Sequence, residues 1–155
     1  MLNQNKYMQY GFPREQADIL GITIHETDNT DMPAEELEQW LNEVNKTSDG
    51  CYHYLCDDIQ TIQLMPDDWS VYHTGKTRDW GDTYTISIAI CSTLSNAKYE
   101  TAKEKAIELI KNLMETYSIS DEMIFFHNDF NEKVYCPKRI LDEYKSVKRF
   151  MMEEL

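Results

Sequence analysis

Apolar residues recur along this chain with two different periods, and each change of period marks an element. The run "GITIHET" at 21–27 is β-branched and apolar at Ile22 and Ile24, which predicts a buried strand. After the loop "DNTDMP", the run "PAEELEQWLNEVNK" opens with Pro33 and a pair of acids. It then places Leu37, Trp40, Leu41 and Val44 at helical spacing, which predicts an amphipathic helix over 33–46. "CYHYLCDD" and "TIQLMP" predict a β-hairpin that turns at 57–60. The segment "DDWSVYHTGKTRDWGD" at 67–82 is long, polar and aromatic, as functional loops are. "TYTISIAICS" is a nearly continuous apolar run, expected at the centre of a sheet. Ala102, Ala106, Leu109, Ile110, Leu113 and Tyr117 define a long helix over 97–117, and "EMIFFH" is a further buried strand ending at His127. The stretch 137–155 opens with Pro137 and carries Ile140, Leu141, Tyr144, Val147 and Met151, which predicts one terminal helix. Residues 1–20 read as irregular apart from a helical turn near 14–19. The order β, α, β, β, β, α, β, α predicts an α/β fold: a single domain with a central mixed sheet flanked by helices.

Composition supports one compact domain, because 155 residues with 41% apolar content can bury a real core. The formal net charge of -13 argues against nucleic acid as a partner and sets up long-range repulsion from anionic membranes and wall polymers. No stretch approaches the roughly 18 apolar residues of a membrane helix, so no membrane partner is expected. The N-terminal run "MLNQNKYMQYGFPREQ" lacks an apolar signal-peptide core, so cytoplasmic synthesis is expected. Cys51, Cys56, Cys91 and Cys136 are expected as reduced thiols, and the first two do not have C-x-x-C spacing. Oligomeric state has no signature in these patterns.

The candidate chemistry lies in histidine and cysteine. His25 and His127 fall at or near the ends of apolar strands, where open α/β sheets deliver side chains to a rim. Cys136 stands just before Pro137, and the polar loop after His127 is long enough to return it to that histidine. Two imidazoles and a thiolate are ligands of the type zinc prefers, and a catalytic zinc keeps its fourth position open. The same residues read equally well as hydrogen-bonded strand-end histidines and a small buried thiol. Residue chemistry alone leaves both readings open, because no compact signature such as H-E-x-x-H joins the three residues.

The motifs taken in order resemble the zinc-dependent N-acetylmuramoyl-L-alanine amidases of the peptidoglycan-recognition-protein superfamily, particularly their phage and bacterial endolysin members. "GITIHET" resembles the strand that ends in the family's first zinc histidine. "CYHYLCDDIQTIQLMPDD" resembles its hairpin and the continuation of that hairpin, and "VYHTG" resembles its "W-H-x-G" loop. "TISIAIC" resembles its "S-I-G-I-E-I-C" strand, and "HNDFNEKVYCPKRI" resembles the segment with the other two ligands. The resemblance covers about 19–141. It implies an amidase-like catalytic domain over 1–155, with 1–18 as an N-terminal extension. It further implies a zinc ion (Zn2+) on His25, His127 and Cys136, a peptidoglycan or muropeptide substrate, and action at the bacterial cell wall after phage-type release. The alternative is a recognition module that holds muropeptide without cutting it.

Two positions depart from the family pattern. Ala89 stands where the family strand often carries a glutamate base, and Val134 stands where a lysine usually precedes the cysteine. A subset of phage enzymes lacks the glutamate and uses a tyrosine and a lysine. By that resemblance Tyr52 and Lys133 are the catalytic candidates, with Lys133 one residue out of place. Tyr52 also fits a hairpin aromatic packing on the sheet, and Lys133 a solvated loop charge. His73 is the candidate for gripping substrate or passing a proton to the departing amine. Trp69 and Trp80 flank its loop and either stack on substrate, with Trp80 the candidate, or pin the loop. His53 alternates with Tyr52 along the hairpin and is expected to be a structural hydrogen-bonder.

Overall fold

The computed structural model describes residues 1–28, 31–44, 50–76 and 78–155. The loop positions 29–30, the expected helix end at 45–46 and Thr77 lie outside the described residues.

A five-stranded sheet is built from β2 (Gly21–Glu26), β3 (Tyr54–Cys56), β4 (Thr61–Gln63), β6 (Thr85–Ile90) and β7 (Ile124–Phe126). Its order is β4-β3-β6-β2-β7. β6 runs parallel to β2 and β3, β7 runs parallel to β2, and β4 closes one edge antiparallel to β3. The expected mixed sheet, with "TISIAI" at its centre, is therefore observed. A second sheet pairs β1 (Gly11–Pro13) with β5 (Trp69–Val71) in antiparallel register. Residues read as irregular or as loop thus form a short ribbon. Three-residue strands leave too few positions for a period-2 pattern to show.

Strand alternation divides the sheet into two unlike faces. Ile22 and Ile24 of β2, with Ile86, Ile88 and Ile90 of β6, pack against Ala102, Ala106 and Ile110 of α4 (Asn96–Tyr117). The intervening residues Thr23, His25, Thr85, Ser87 and Ala89 point to the other face, where Leu55, Leu64, Leu37 and Leu41 form a second apolar cluster. On the same face lies a buried group of hydrogen-bonded polar side chains. Arg14 donates to the carbonyls of Asp67, Thr83 and Thr85. His53 accepts the Ser87 amide on Nδ1 and donates from Nε2 to the Trp69 carbonyl. His53 is thus the hydrogen-bonder expected, and Arg14 ties the N-terminal segment to the loop before β6. Burial draws the Arg14 guanidinium down to about 10, opposed by Asp67 and Asp18.

Three elements differ from the sequence reading. α2 (Ala34–Glu43) buries Leu37 and Leu41 but leaves Trp40 47% exposed, so the apolar stripe is narrower than its spacing suggested. β7 stops at Phe126, and His127 opens a short helix, α5 (His127–Phe130), where the Asp129 side chain accepts the Phe126 amide. The terminal helix is two helices, α6 (Lys138–Tyr144) and α7 (Val147–Glu154). Lys145 takes a left-handed conformation at φ 66°, and the Ser146 hydroxyl accepts the Arg149 amide as a new N-cap. No helix among the described residues is long and apolar enough to cross a membrane.

Ile88 is fully buried at the centre of β6. Ile88→Ala is expected to lower the unfolding free energy by about 2–5 kcal/mol, measured by urea denaturation.

Candidate metal centre

Parallel strands place their C-terminal ends on one rim, and the candidate site is built there. His25 is the fifth residue of β2, and His127 follows the last residue of the neighbouring β7. Cys136 arrives from the far side of the α5 loop, with its carbonyl accepting the Asn128 amide at 3.1 Å. One ligand atom from each of His25, His127 and Cys136 lies within 4.8 Å of the others. Cys136 Sγ is 3.9 Å from His25 Nδ1. An N-to-S edge of a tetrahedral zinc site is roughly 3.6 Å, given Zn–N near 2.0–2.1 Å and Zn–S near 2.3 Å. The His25–Cys136 edge is close to that value, and the three residues could hold a metal ion once their wider separations, up to 4.8 Å, contract.

Hydrogen bonds fix which nitrogen of each ring is free. His73 Nε2 lies 3.1 Å from the Gly81 carbonyl, which can only accept, so His73 carries its proton on Nε2. Its Nδ1 is then an acceptor, and His25 Nε2 donates to it at 2.9 Å. The His25 lone pair is left on Nδ1, the atom facing Cys136. His127 Nε2 likewise donates to the Thr74 carbonyl at 2.9 Å, which leaves its lone pair on Nδ1. Outer partners of this kind orient metal-ligating imidazoles.

The support for those acceptors reaches back through 67–82, the segment expected to be functional. The Asp82 carboxylate accepts the amides of both His73 and Thr74 and so holds the Thr74 carbonyl in place. Burial pushes the Asp82 carboxyl up to about 6, while those two amides oppose the rise. α3 (Trp80–Tyr84) must lie close against this turn. A Cβ on Gly81 would come within 2.7 Å of the Thr74 methyl and 3.0 Å of the Phe130 ring, so only glycine permits the approach.

Burial sets the protonation of all three candidate ligands. It holds His25 well below the ordinary imidazole range, helped by His73, His127 and His53, and it also lowers His127. Both rings are neutral, as ligation requires. Burial pushes the Cys136 thiol up to about 12, opposed by the Glu26 amide, so the proton leaves only when a cation takes its place.

A cavity of about 320 Å³ opens over the cluster, lined by Tyr52, His73, Gly75, His127, Val134 and Cys136 among others. Tyr52 is thus brought to the site, its ring 5.0 Å from that of His25. Burial, reinforced by Cys136 and Asp28, pushes its phenol far above the ordinary value, which makes it a hydrogen-bond donor rather than a base. His73 lies behind His25 with both ring nitrogens engaged. Lys133 is exposed and does not line the cavity, whereas its neighbour Val134 does. Trp80 also stands outside the cavity wall, in an aromatic cluster with Tyr84, Phe125 and Phe130. Ala89, paired with His25 in the β2–β6 register, is fully buried in an apolar cluster and offers no titratable group. The carbonyls of Thr74 and Gly81, which set both tautomers, went unread in the sequence, since backbone acceptors carry no residue signature.

The family model for N-acetylmuramoyl-L-alanine amidase matches residues 15–139. The N-acetylmuramoyl-L-alanine amidase CwlA of Bacillus subtilis (strain 168) is 35% identical over 124 residues, which are 79% of this chain and 44% of CwlA. XlyB of the same organism, also named as an N-acetylmuramoyl-L-alanine amidase, is 33% identical over 138 residues, covering 86% of this chain and 42% of XlyB. The chain therefore spans less than half the length of these two curated relatives. Among solved structures, PlyL superposes with a TM-score of 0.85 at 26% identity, covering 99% of this chain and 94% of PlyL. The catalytic domain of XlyA superposes with a TM-score of 0.78 at 27% identity, covering 90% of each chain.

In metal-free protein, long-range ¹H–¹⁵N correlation spectra are expected to show His25 and His127 protonated on Nε2. His73→Phe is expected to release the preference at His25 while leaving His127 unchanged.

Proposed function

The chain belongs to the N-acetylmuramoyl-L-alanine amidase family, and on that premise we propose that it hydrolyses the amide joining the lactyl group of N-acetylmuramic acid to L-alanine in peptidoglycan, with zinc held by His25, His127 and Cys136. The observation that carries this reading is the convergence of two Nδ1 lone pairs and one sulfur at the floor of an open cavity. The donor set supports zinc over harder cations, because neutral imidazole and thiolate suit a borderline-soft ion. Zinc, when bound, polarises a scissile carbonyl and acidifies a water at neutral pH.

The chain's own groups do the rest. Tyr52, kept protonated by its buried setting, donates a hydrogen bond to the carbonyl oxygen as negative charge develops there. A single donor of that kind is worth about 3 kcal/mol in comparable sites. His73 keeps the His25 ring in one tautomer and one orientation, so the cluster is arranged before substrate arrives. The cavity of about 320 Å³ that Tyr52 and Tyr135 help to line receives the part of the substrate around the scissile amide. Lys133, exposed on the loop rim, has no part in the chemistry of this reading. Action on peptidoglycan places the protein at the bacterial cell wall.

The test is release of free stem peptide from muropeptide, followed by mass spectrometry. Chelation is expected to stop release and stoichiometric zinc to restore it. Cys136→Ser is expected to fall below about 1% of wild type, while Lys133→Ala stays within about twofold, as for a solvated charge. Binding of muropeptide without release at full zinc occupancy would replace this reading with the recognition module.

A further inference from the structure

Strand β2 ends in two consecutive side chains with opposite directions. His25 lies fully buried beneath the cavity, on the side of His73 and Tyr52, and the Glu26 carboxylate turns toward α4 and α6, the residue being 5% exposed. A buried carboxylate needs donors, and Glu26 has four contacts from three groups. Its Oε1 accepts the Tyr99 hydroxyl, the Arg139 amide at 3.1 Å and the Ile140 amide at 3.3 Å, and its Oε2 accepts the Arg139 amide at 2.9 Å.

Those amides are the second and third of helix α6, the orphan donors that an N-cap side chain ordinarily satisfies. The N-cap of α6 is Pro137, which provides no such side chain. Glu26 supplies the missing cap from a strand more than a hundred residues earlier. The residue before that proline is Cys136. The Glu26 main chain grips its sulfur as well: the amide donates to Sγ at 3.4 Å, and Sγ donates to the carbonyl at 3.7 Å. The guanidinium of Arg139 lies 3.9 Å above the Tyr99 ring, which packs the same corner from the α4 side.

We propose that Glu26 is a positioning residue for the sulfur ligand: by capping α6 from β2, it holds the Cys136 sulfur 3.9 Å from His25 Nδ1, where the two can share one zinc ion. This rests on the reading of Cys136 as a zinc ligand. Both oxygens of Glu26 accept from the first turn of α6, which ties the carboxylate to that helix. One strand end thereby sets two of the three ligands, one directly and one through the helix that follows it.

The test is zinc affinity of the full chain by chelator competition, together with the sulfur-to-cobalt charge-transfer band of the Co(II)-substituted protein. Glu26→Ala is expected to weaken zinc binding about 10- to 100-fold and to diminish the charge-transfer band. In a Cys136→Ser background, where only the imidazoles remain, the same change is expected to matter by less than about twofold, which a general loss of stability would not produce. Glu26→Gln keeps the shape and one acceptor, and is expected to lose about three- to tenfold. It carries the test if circular dichroism shows Glu26→Ala unfolded. Wild-type affinity in the folded Glu26 variants, or an equal loss in both backgrounds, overturns the role of Glu26 while leaving the zinc reading intact. A wild-type chain that binds no zinc through Cys136 overturns both.

Discussion

Two imidazole rings must each keep a proton on the nitrogen that faces away from one distant sulfur. That requirement organises the rest of the structure. A neutral imidazole has two tautomers, and only one presents a lone pair toward Cys136, which lies 111 residues from His25. The choice is made by backbone carbonyls of Thr74 and Gly81, which cannot donate and so force the protons onto Nε2. The turn bearing the Thr74 carbonyl is held by Asp82 and lies close against α3, which bears the Gly81 carbonyl, by the packing that Gly81 allows. The segment 67–82, read in the sequence as a functional loop, supplies the acceptors that orient the site's imidazoles.

The sheet serves this frame through its unequal faces. On the α4 side β2 and β6 present isoleucines, flanked by Tyr54 and Cys56 of β3 and Ile124 and Phe126 of β7, and that side provides the apolar burial that holds the strands in register. On the other side, threonine, serine and histidine alternate with those isoleucines and are paired within a buried polar layer. Such a layer fixes geometry when every member has a partner. The metal candidates sit where that layer reaches the rim. The same strand end caps α6 through Glu26, so the helical face and the cavity face meet at two adjacent residues.

Long elements were legible in the sequence because they carry several turns or strands of a clean period. The helix at Asn96–Tyr117 and the strand at Thr85–Ile90 lie within a residue or two of their expected positions. His25, His127, Cys136, Tyr52 and His73, named from strand ends and family motifs, all line the cavity or lie against it. The rest was hidden for physical reasons. Strands of three residues show no period, and the break between α6 and α7 depends on one left-handed residue and one serine cap. Trp80 was named as an aromatic flanking the His73 loop and Lys133 from the family resemblance, one residue out of place; local packing sets Trp80 against Phe130, and the loop turns Val134 rather than Lys133 to the cavity. Glu26 drew no reading from the sequence, because nothing in a linear sequence couples it to a helix at 138–144.

The most direct measurement of the central claim is zinc K-edge X-ray absorption on the zinc-loaded protein. The account predicts one zinc per chain, with one sulfur scatterer near about 2.3 Å and two imidazole nitrogens near about 2.0 Å. A first shell of nitrogen and oxygen alone, with no sulfur, would contradict it.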